Sequence, residues 1–215
     1  YEMSASLVGS EMCIRDRTNT IYMKNICFIL ISLCISLSSF AQTDAQHLKF
    51  KGVPIDGTLA AYVSKMKAAG FSDLGIKDGT AVLQGDFAGF KGCIIGVSTL
   101  KTTNVVNTIG VIFPECDNWS KLENNYQTLK EMLIQKYGEP ADCVEKFQSY
   151  SQPNDDGLRL TFLRMDKCTY YTTFETPNGD IQLSLEHQDR RCFAKLQYWD
   201  KINTNKVKTQ AMDDL

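Results

Sequence analysis

Two hydrophobic periods alternate along the chain, and the places where one gives way to the other mark out its elements. Residues 47–55 (HLKFKGVPI) alternate enough to predict a short strand. Asp56-Gly57-Thr58 then offers capping residues, and Leu59, Val63, Met66 and Ala69 recur at helical spacing until Gly70 stops the run. Strands are predicted at 81–87, 93–98 and 105–113. A second helix follows Asp117-Asn118, with the stripe Trp119, Leu122, Tyr126, Leu129, Leu133 and Tyr137 closed by Gly138 and Pro140. Five more strands are predicted at 143–148, 158–163, 168–176, 180–187 and 192–199. Residues from Asn203 onward read as a polar, frayed tail. The plan is α+β: two helix-plus-antiparallel-sheet units forming one domain, with helices on one sheet face.

The last three strands allow a register to be set. Pro177-Asn178-Gly179 and Gln188-Asp189-Arg190-Arg191 are good hairpin loops. Pairing around them puts Phe174 beside Ile181, Leu183 beside Leu196, and Leu185 beside Ala194. One face then carries Tyr170, Phe174, Ile181, Leu183, Leu185, Ala194, Leu196 and Tyr198, a natural core. The other carries Asp180, Gln182, Ser184, Glu186, Lys195 and Gln197 together with Tyr171, Phe193 and Trp199. Aromatic side chains on an otherwise polar sheet face are the best binding candidates in the chain, so Tyr171, Phe193, Lys195 and Trp199 form the candidate site. The same register lines up Cys168, His187 and Cys192 on the core-facing side. Thiolate and imidazole are metal ligands and can activate one another, but no fourth ligand or acid partner is placed by the pattern. A direct Cys168–Cys192 disulfide would have to span two strand spacings, which is too far.

The first half is less clean. Leu83, Phe87, Ile94, Ile109, Val111 and Phe113 can share a face, which leaves Ile95, Val97, Val106 and Ile112 on the other. Strands apolar on both faces suggest a central position, a covered sheet or a homodimer interface. In this register Gly85 and Gly96 would lie opposite each other and bend the sheet. A shift of 87 residues places Phe87 on Phe174, Gly92 on Gly179, Ile94 on Ile181, Ile109 on Leu196 and Val111 on Tyr198. The helix-ending Gly70 and Gly138 stand 68 apart, so a duplicated unit would carry about 19 extra residues in its second copy. Those would be an added strand or loop containing Cys143 and the turn-rich SQPNDDG, within halves at about 47–115 and 117–202.

The N-terminal region changes the setting. Residues 1–22 include SLVGSEMCIRDR, which resembles the read-through of a transposase-type sequencing adapter and is set aside as an assembly scar. From Met23 the chain resembles a secretory signal peptide: Lys24, the apolar run ICFILISLCISL, then Ser39 and Ala41 at the −3 and −1 positions of a cleavage site. That run is too short for a membrane-spanning helix, which needs about 20 apolar residues. Cleavage after Ala41 removes 41 of 215 residues and leaves 174, enough for the single domain expected over 42–202, with 203–215 as its tail. The discarded segment holds three basic and three acidic residues, so the remainder keeps the whole chain's net charge of −2. With no basic run, nucleic acid is not an expected partner.

Five cysteines then remain: Cys93, Cys116, Cys143, Cys168 and Cys192. An odd number in an oxidising compartment leaves at least one thiol free or paired between chains, and no CxxC pair supports a zinc site. No GxSxG, HExxH, P-loop or dinucleotide fingerprint is present, so no catalytic residue, metal ligand or cofactor is assigned. Asp155-Asp156, in QPNDDG, read as a solvated loop.

Two resemblances add to this. The signal ending SFAQ, with HLKFKGVPIDGT after it, resembles the opening of small exported proteins of gut Bacteroidetes, whose function is generally unassigned. The helix-plus-sheet repeat is similar in plan to the β-lactamase-inhibitor-like fold, which implies architecture only, since fold does not imply function. Together the expectation is a periplasmic or secreted protein that binds a protein or envelope component. An envelope-directed hydrolase with a spatially assembled site is the alternative.

Overall fold

A computed structural model describes residues 46–149 and 153–213; the adapter-like and signal-like segments of the sequence lie outside them. The fold is α+β, with four helices, a two-stranded sheet and an eight-stranded antiparallel sheet among the described residues. In chain order the elements are β1 (Lys49–Phe50), β2 (Val53–Pro54), α1 (Leu59–Ala68), β3 (Ser72–Lys77), β4 (Thr80–Phe87), β5 (Phe90–Thr99) and β6 (Val106–Ile112). The second half holds α2 (Trp119–Tyr137), β7 (Asp142–Phe147), α3 (Asp156–Arg164), β8 (Cys168–Thr176), β9 (Gly179–Gln188), β10 (Arg191–Asp200) and α4 (Lys201–Asp213).

The large sheet runs β3-β4-β5-β6-β10-β9-β8-β7, so each half contributes four consecutive strands and the halves join where β6 meets β10. At that seam Gly110 pairs with Gln197, its own counterpart 87 positions along, and Ile109–Tyr198 mirrors Val111–Leu196. The correspondence does not extend to Ile94 and Ile181. Ile181 points into the core and Ile94 to the other face, and the residue placed like Ile181 is Ile95, opposite Val111. The extra length of the second half is helix α3 with its flanking turns. It separates β7 from β8, where β3 and β4 are joined by Asp78-Gly79 alone.

Helix α2 forms as its pattern predicts. The Asn118 side chain accepts from Lys121 N–H at 2.9 Å, which caps the first turn, and Gly138 at φ 86° ends the last. Its stripe of Trp119, Leu122, Tyr126, Leu129 and Leu133 is buried against the sheet. One core row runs Leu83–Ile95–Val111–Leu196–Leu183–Thr172 across six strands, buried throughout. Thr172 is its one polar member, and its hydroxyl meets Tyr126 Oη at 2.6 Å. The expected C-terminal register holds: Phe174–Ile181, Leu183–Leu196 and Leu185–Ala194 are all paired, and the eight expected core residues are buried.

Several expectations give way. Residues 47–55 form a tight hairpin, turned at Lys51-Gly52, in place of one strand. Residues 158–163 are helix α3: Asp155 accepts from Gly157 N–H at 2.9 Å and Leu158 N–H at 3.2 Å, so the expected acidic loop is a helix cap. Asp156 then accepts from the Ser120 amide and hydroxyl, docking α3 at the start of α2. Strand β3 was not anticipated at all. Strand β5 is slipped by three residues against β4 from the expected register. Cys93, Ile95 and Val97 face the core, Gly85 lies opposite Cys93, and Gly96 lies opposite Gly110 and Val82. A slip by an odd number of residues exchanges every side chain between faces, so Ile95 and Val97 turn inward and Ile94 outward.

The residues expected as a polar tail are helix α4, held by a buried polar network. Asp200, at the end of β10, accepts from Asn203 N–H at 3.0 Å and from Leu48 N–H at 2.9 Å, and lies 3.2 Å from His47 Nδ1. The buried Asn203 amide donates to the Val106 carbonyl at 3.1 Å and to Asp56 Oδ1 at 3.0 Å. Among the described residues, no helix is long and apolar enough to cross a membrane.

Two outcomes follow from this network. Asn203→Ala strands the Val106 carbonyl and one Asp56 oxygen, and urea denaturation is expected to show a loss of about 1–3 kcal/mol. Burial would raise the Asp56 carboxyl. The Asn203 amide, the Gly57 N–H and the His47 and Lys206 charges outweigh it, so Asp56 titrates below its ordinary value. A lowered carboxylate adds stability that is present above the unfolded value of about 3.9 and is lost as pH falls through the folded one. The stability difference between wild type and Asp56→Asn should therefore shrink on acidification below about pH 4.

Candidate functional site

The helices α1–α3 bury their apolar side chains on one face of the large sheet, in a single cluster with the core-facing strand residues. The other face is built from residues in the opposite phase of each strand. One row crosses seven strands: Gln84, Ile94, Ile112, Lys195, Ser184, Tyr171 and Val144. Strand pairing therefore places Tyr171, Phe193, Lys195 and Trp199 together on this outer face, as the register predicts.

Their environments differ. Lys195 Nζ donates to Glu186 Oε2 at 3.0 Å, and the Ser184 hydroxyl donates to Glu186 Oε1 at 2.9 Å, so the middle of the face is a neutralised polar cluster. The Tyr171 hydroxyl donates to Asp142 Oδ2 at 2.7 Å, and that carboxylate holds the phenol above its ordinary value. Trp199 is half-buried between Asp180 and Thr108, six residues along β10 from Phe193, or about 20 Å at the rise of a strand. The three aromatics thus do not form one patch.

Phe193 departs furthest from expectation: it is only 6% exposed. It lines a surface depression of about 380 Å³ with Ile94, Ile112 and Pro114, rimmed by Gln84, Gln188, Glu115 and Arg191. Arg191 Nη1 and Glu115 Oε1 pair across that rim at 3.2 Å. Ile94 and Ile112 are cross-strand neighbours, and both are half-buried. The apolar centre of the face is therefore Ile94–Ile112–Phe193, with Tyr171 and Trp199 as outlying aromatics. Ile94 was missed because the CII run in β5 does not alternate, so its phase could not be read.

A second surface lies at the β3 edge. Leu74 and Ile76 are 55% and 70% exposed, and a groove of about 640 Å³ between β3 and α1 is lined by Leu59, Val63, Ile76 and Ala81. The Asp78-Gly79 turn was the available signal for this strand. Both residues have positive φ, as a two-residue hairpin turn of this kind requires.

The cysteine–histidine row is only partly formed. His187 pairs with Cys192, whereas the β8–β9 ladder stops at Tyr171–Ser184, short of Cys168. His187 Nε2 sits 3.1 Å from Asp166 Oδ1. No group of three His, Cys, Asp or Glu side chains among the described residues could hold a metal ion. Burial, with the Glu123 and Cys192 charges, pushes the Cys168 thiol up to about 12. Burial also raises Cys192, against the opposing charge of Arg164. Thiols held protonated are poor nucleophiles and poor ligands.

No family model, no curated protein and no solved structure matches this chain significantly.

In the reduced protein the exposed Cys143 should react with a maleimide at the rate of an open thiol. Buried Cys93 and Cys192 should react at least about tenfold more slowly, which timed alkylation and peptide mass spectrometry would check.

Proposed function

We propose that this protein is an exported binding module of the periplasm or cell envelope. It engages a protein or envelope component through the outer face of its eight-stranded sheet. The observation that supports this most is the Ile94–Ile112–Phe193 depression. It is an apolar centre with a charged rim, on a face to which helices α1–α3 add no buried side chain. An apolar centre ringed by polar groups is the anatomy of a protein-recognition patch. The rim charges are mixed, with Arg191 beside Glu115 and Lys195 beside Glu186. That mixture suits a protein surface better than a polyanion. Export rests on the signal-like segment that ends at Ala41.

The alternative, an envelope-directed hydrolase, has one observation in its favour, the His187–Asp166 pair. Asp166 is 89% exposed on its side chain and the nearby thiols are protonated, so the pair lacks both a dry site and a nucleophile. Binding is the better-supported reading.

Tagged protein carrying a photocrosslinker at position 112, incubated with a solubilised envelope fraction, is expected to capture a specific partner. Ile94→Arg should weaken that capture at least tenfold, about 1.4 kcal/mol. The paired change Tyr171→Ala with Trp199→Ala should weaken it further. Leu74→Arg, on the β3 edge, serves as the control and should leave capture intact. Undiminished capture by Ile94→Arg would overturn the assignment of this face.

A further inference from the structure

Two of the five cysteines among the described residues stand directly opposite each other. Beyond the end of the β6–β10 ladder, Cys116 and Cys192 form an antiparallel bridge, in which Cys116 N–H donates to the Cys192 carbonyl at 2.9 Å. Directly opposed residues of an antiparallel pair have Cα atoms roughly 4.5–5.5 Å apart, with both side chains on the same side. A disulfide needs about 4.4–6.8 Å between Cα atoms, so this pair can be bridged without moving the backbone. Cys192 is in phase with the core residues Ala194 and Leu196. On that same side the Asn125 amide of helix α2 donates to Cys116 Sγ at 3.4 Å. Exposures are 4% for Cys116 and 0% for Cys192. The other cysteines are placed elsewhere: Cys168 on β8 is two strands from Cys192, Cys93 lies on β5, and Cys143 lies on the far edge strand β7.

We propose that Cys116 and Cys192 are a redox site, joined in the oxidised protein by a disulfide that ties the β6–α2 junction to the start of β10. The reaction rests on the export reading, because it needs an oxidant of the thiol–disulfide exchange class. One cysteine, as thiolate, attacks the oxidant's disulfide and forms a mixed disulfide while one oxidant thiolate departs. The second cysteine thiolate then attacks the cysteine sulfur of that mixed disulfide, and the other oxidant thiolate leaves. The Cys116–Cys192 bond forms, the oxidant's sulfur–sulfur bond breaks, and the two protons end on the two thiols released. A surface cavity of about 350 Å³, lined by Glu115, Asp117, Arg164, Arg190 and Arg191, borders Cys116. Burial raises both thiols, so the bond forms most readily while the chain is folding, before the core closes over them. Once made, it closes a loop that contains α2, β7, α3, β8 and β9, and so constrains the unfolded chain across most of the second half.

The test is disulfide mapping of the full chain recovered from the periplasm, alkylated before digestion under non-reducing conditions. The expected result is one linked peptide pair, Cys116–Cys192, with Cys93, Cys143 and Cys168 alkylated. Reduction should lower the melting temperature by about 10 °C. Cys116→Ser, Cys192→Ser and the double variant should each lower it by the same amount. A second sample is reduced, partly unfolded and refolded in a glutathione redox buffer. If recovered protein is reduced but the refolded sample acquires the Cys116–Cys192 link, the pairing stands and the export reading falls. If neither sample carries the link, or if Cys168 is the partner of Cys192, the proposal is overturned.

Discussion

Everything in this fold depends on the pairing of β6 with β10. Each half offers only four strands of the large sheet, covered by α1 in the first half and by α2 and α3 in the second. Joined at Gly110–Gln197, the halves make one eight-stranded sheet with a continuous core row from Leu83 to Thr172. Backbone hydrogen bonds set the register, and the register decides which side chains meet the helices. Because side chains alternate with period two, the seam also determines what is left outside: Ile112 and Lys195 lie together on the outer face because Val111 and Leu196 lie together inside.

Where local signals were unambiguous, the residues reported the structure directly. Helix α2 has a cap, a complete stripe and a terminating glycine, and its bounds agree with expectation. Strands β8, β9 and β10 are separated by tight loops, and the register drawn from those loops agrees pair by pair. The failures have equally local causes. Leu158, Leu160 and Phe162 alternate like a strand, while Leu160 and Leu163 fit a helix turn equally well. The Asp155 side chain, capping the first turn, settles it as a helix. Strand β3 (SDLGIK) is exposed at all six positions, so no burial pattern marks it. Strand β5 holds adjacent apolar residues, and only its neighbours reveal which of them face inward.

The candidate site was legible as a face but not as a centre. Alternation in β8 to β10 placed Tyr171, Phe193, Lys195 and Trp199 on one side. Their environments depend on β4, β5 and β6, whose phase could not be read. Phe193 illustrates the point: from its strand alone it is an outward aromatic, yet Ile94, Ile112 and Pro114 from the other half turn it into the lining of a depression. The site is thus assembled across the seam, and its centre belongs to neither half.

The buried network around Asp200 has a consequence for the order of events. Leu48 and His47, near the start of the described chain, find their partner in Asp200, and Asn203 closes the same cluster onto Asp56 and Val106. A polypeptide that emerges N-terminus first cannot give Leu48 and His47 this partner until the end of β10 has arrived. Its opening hairpin must wait, with its polar groups in water, while some 150 later residues appear. Asn203 works as a latch, tying α4 to Asp56, Val106 and the end of β10 at once.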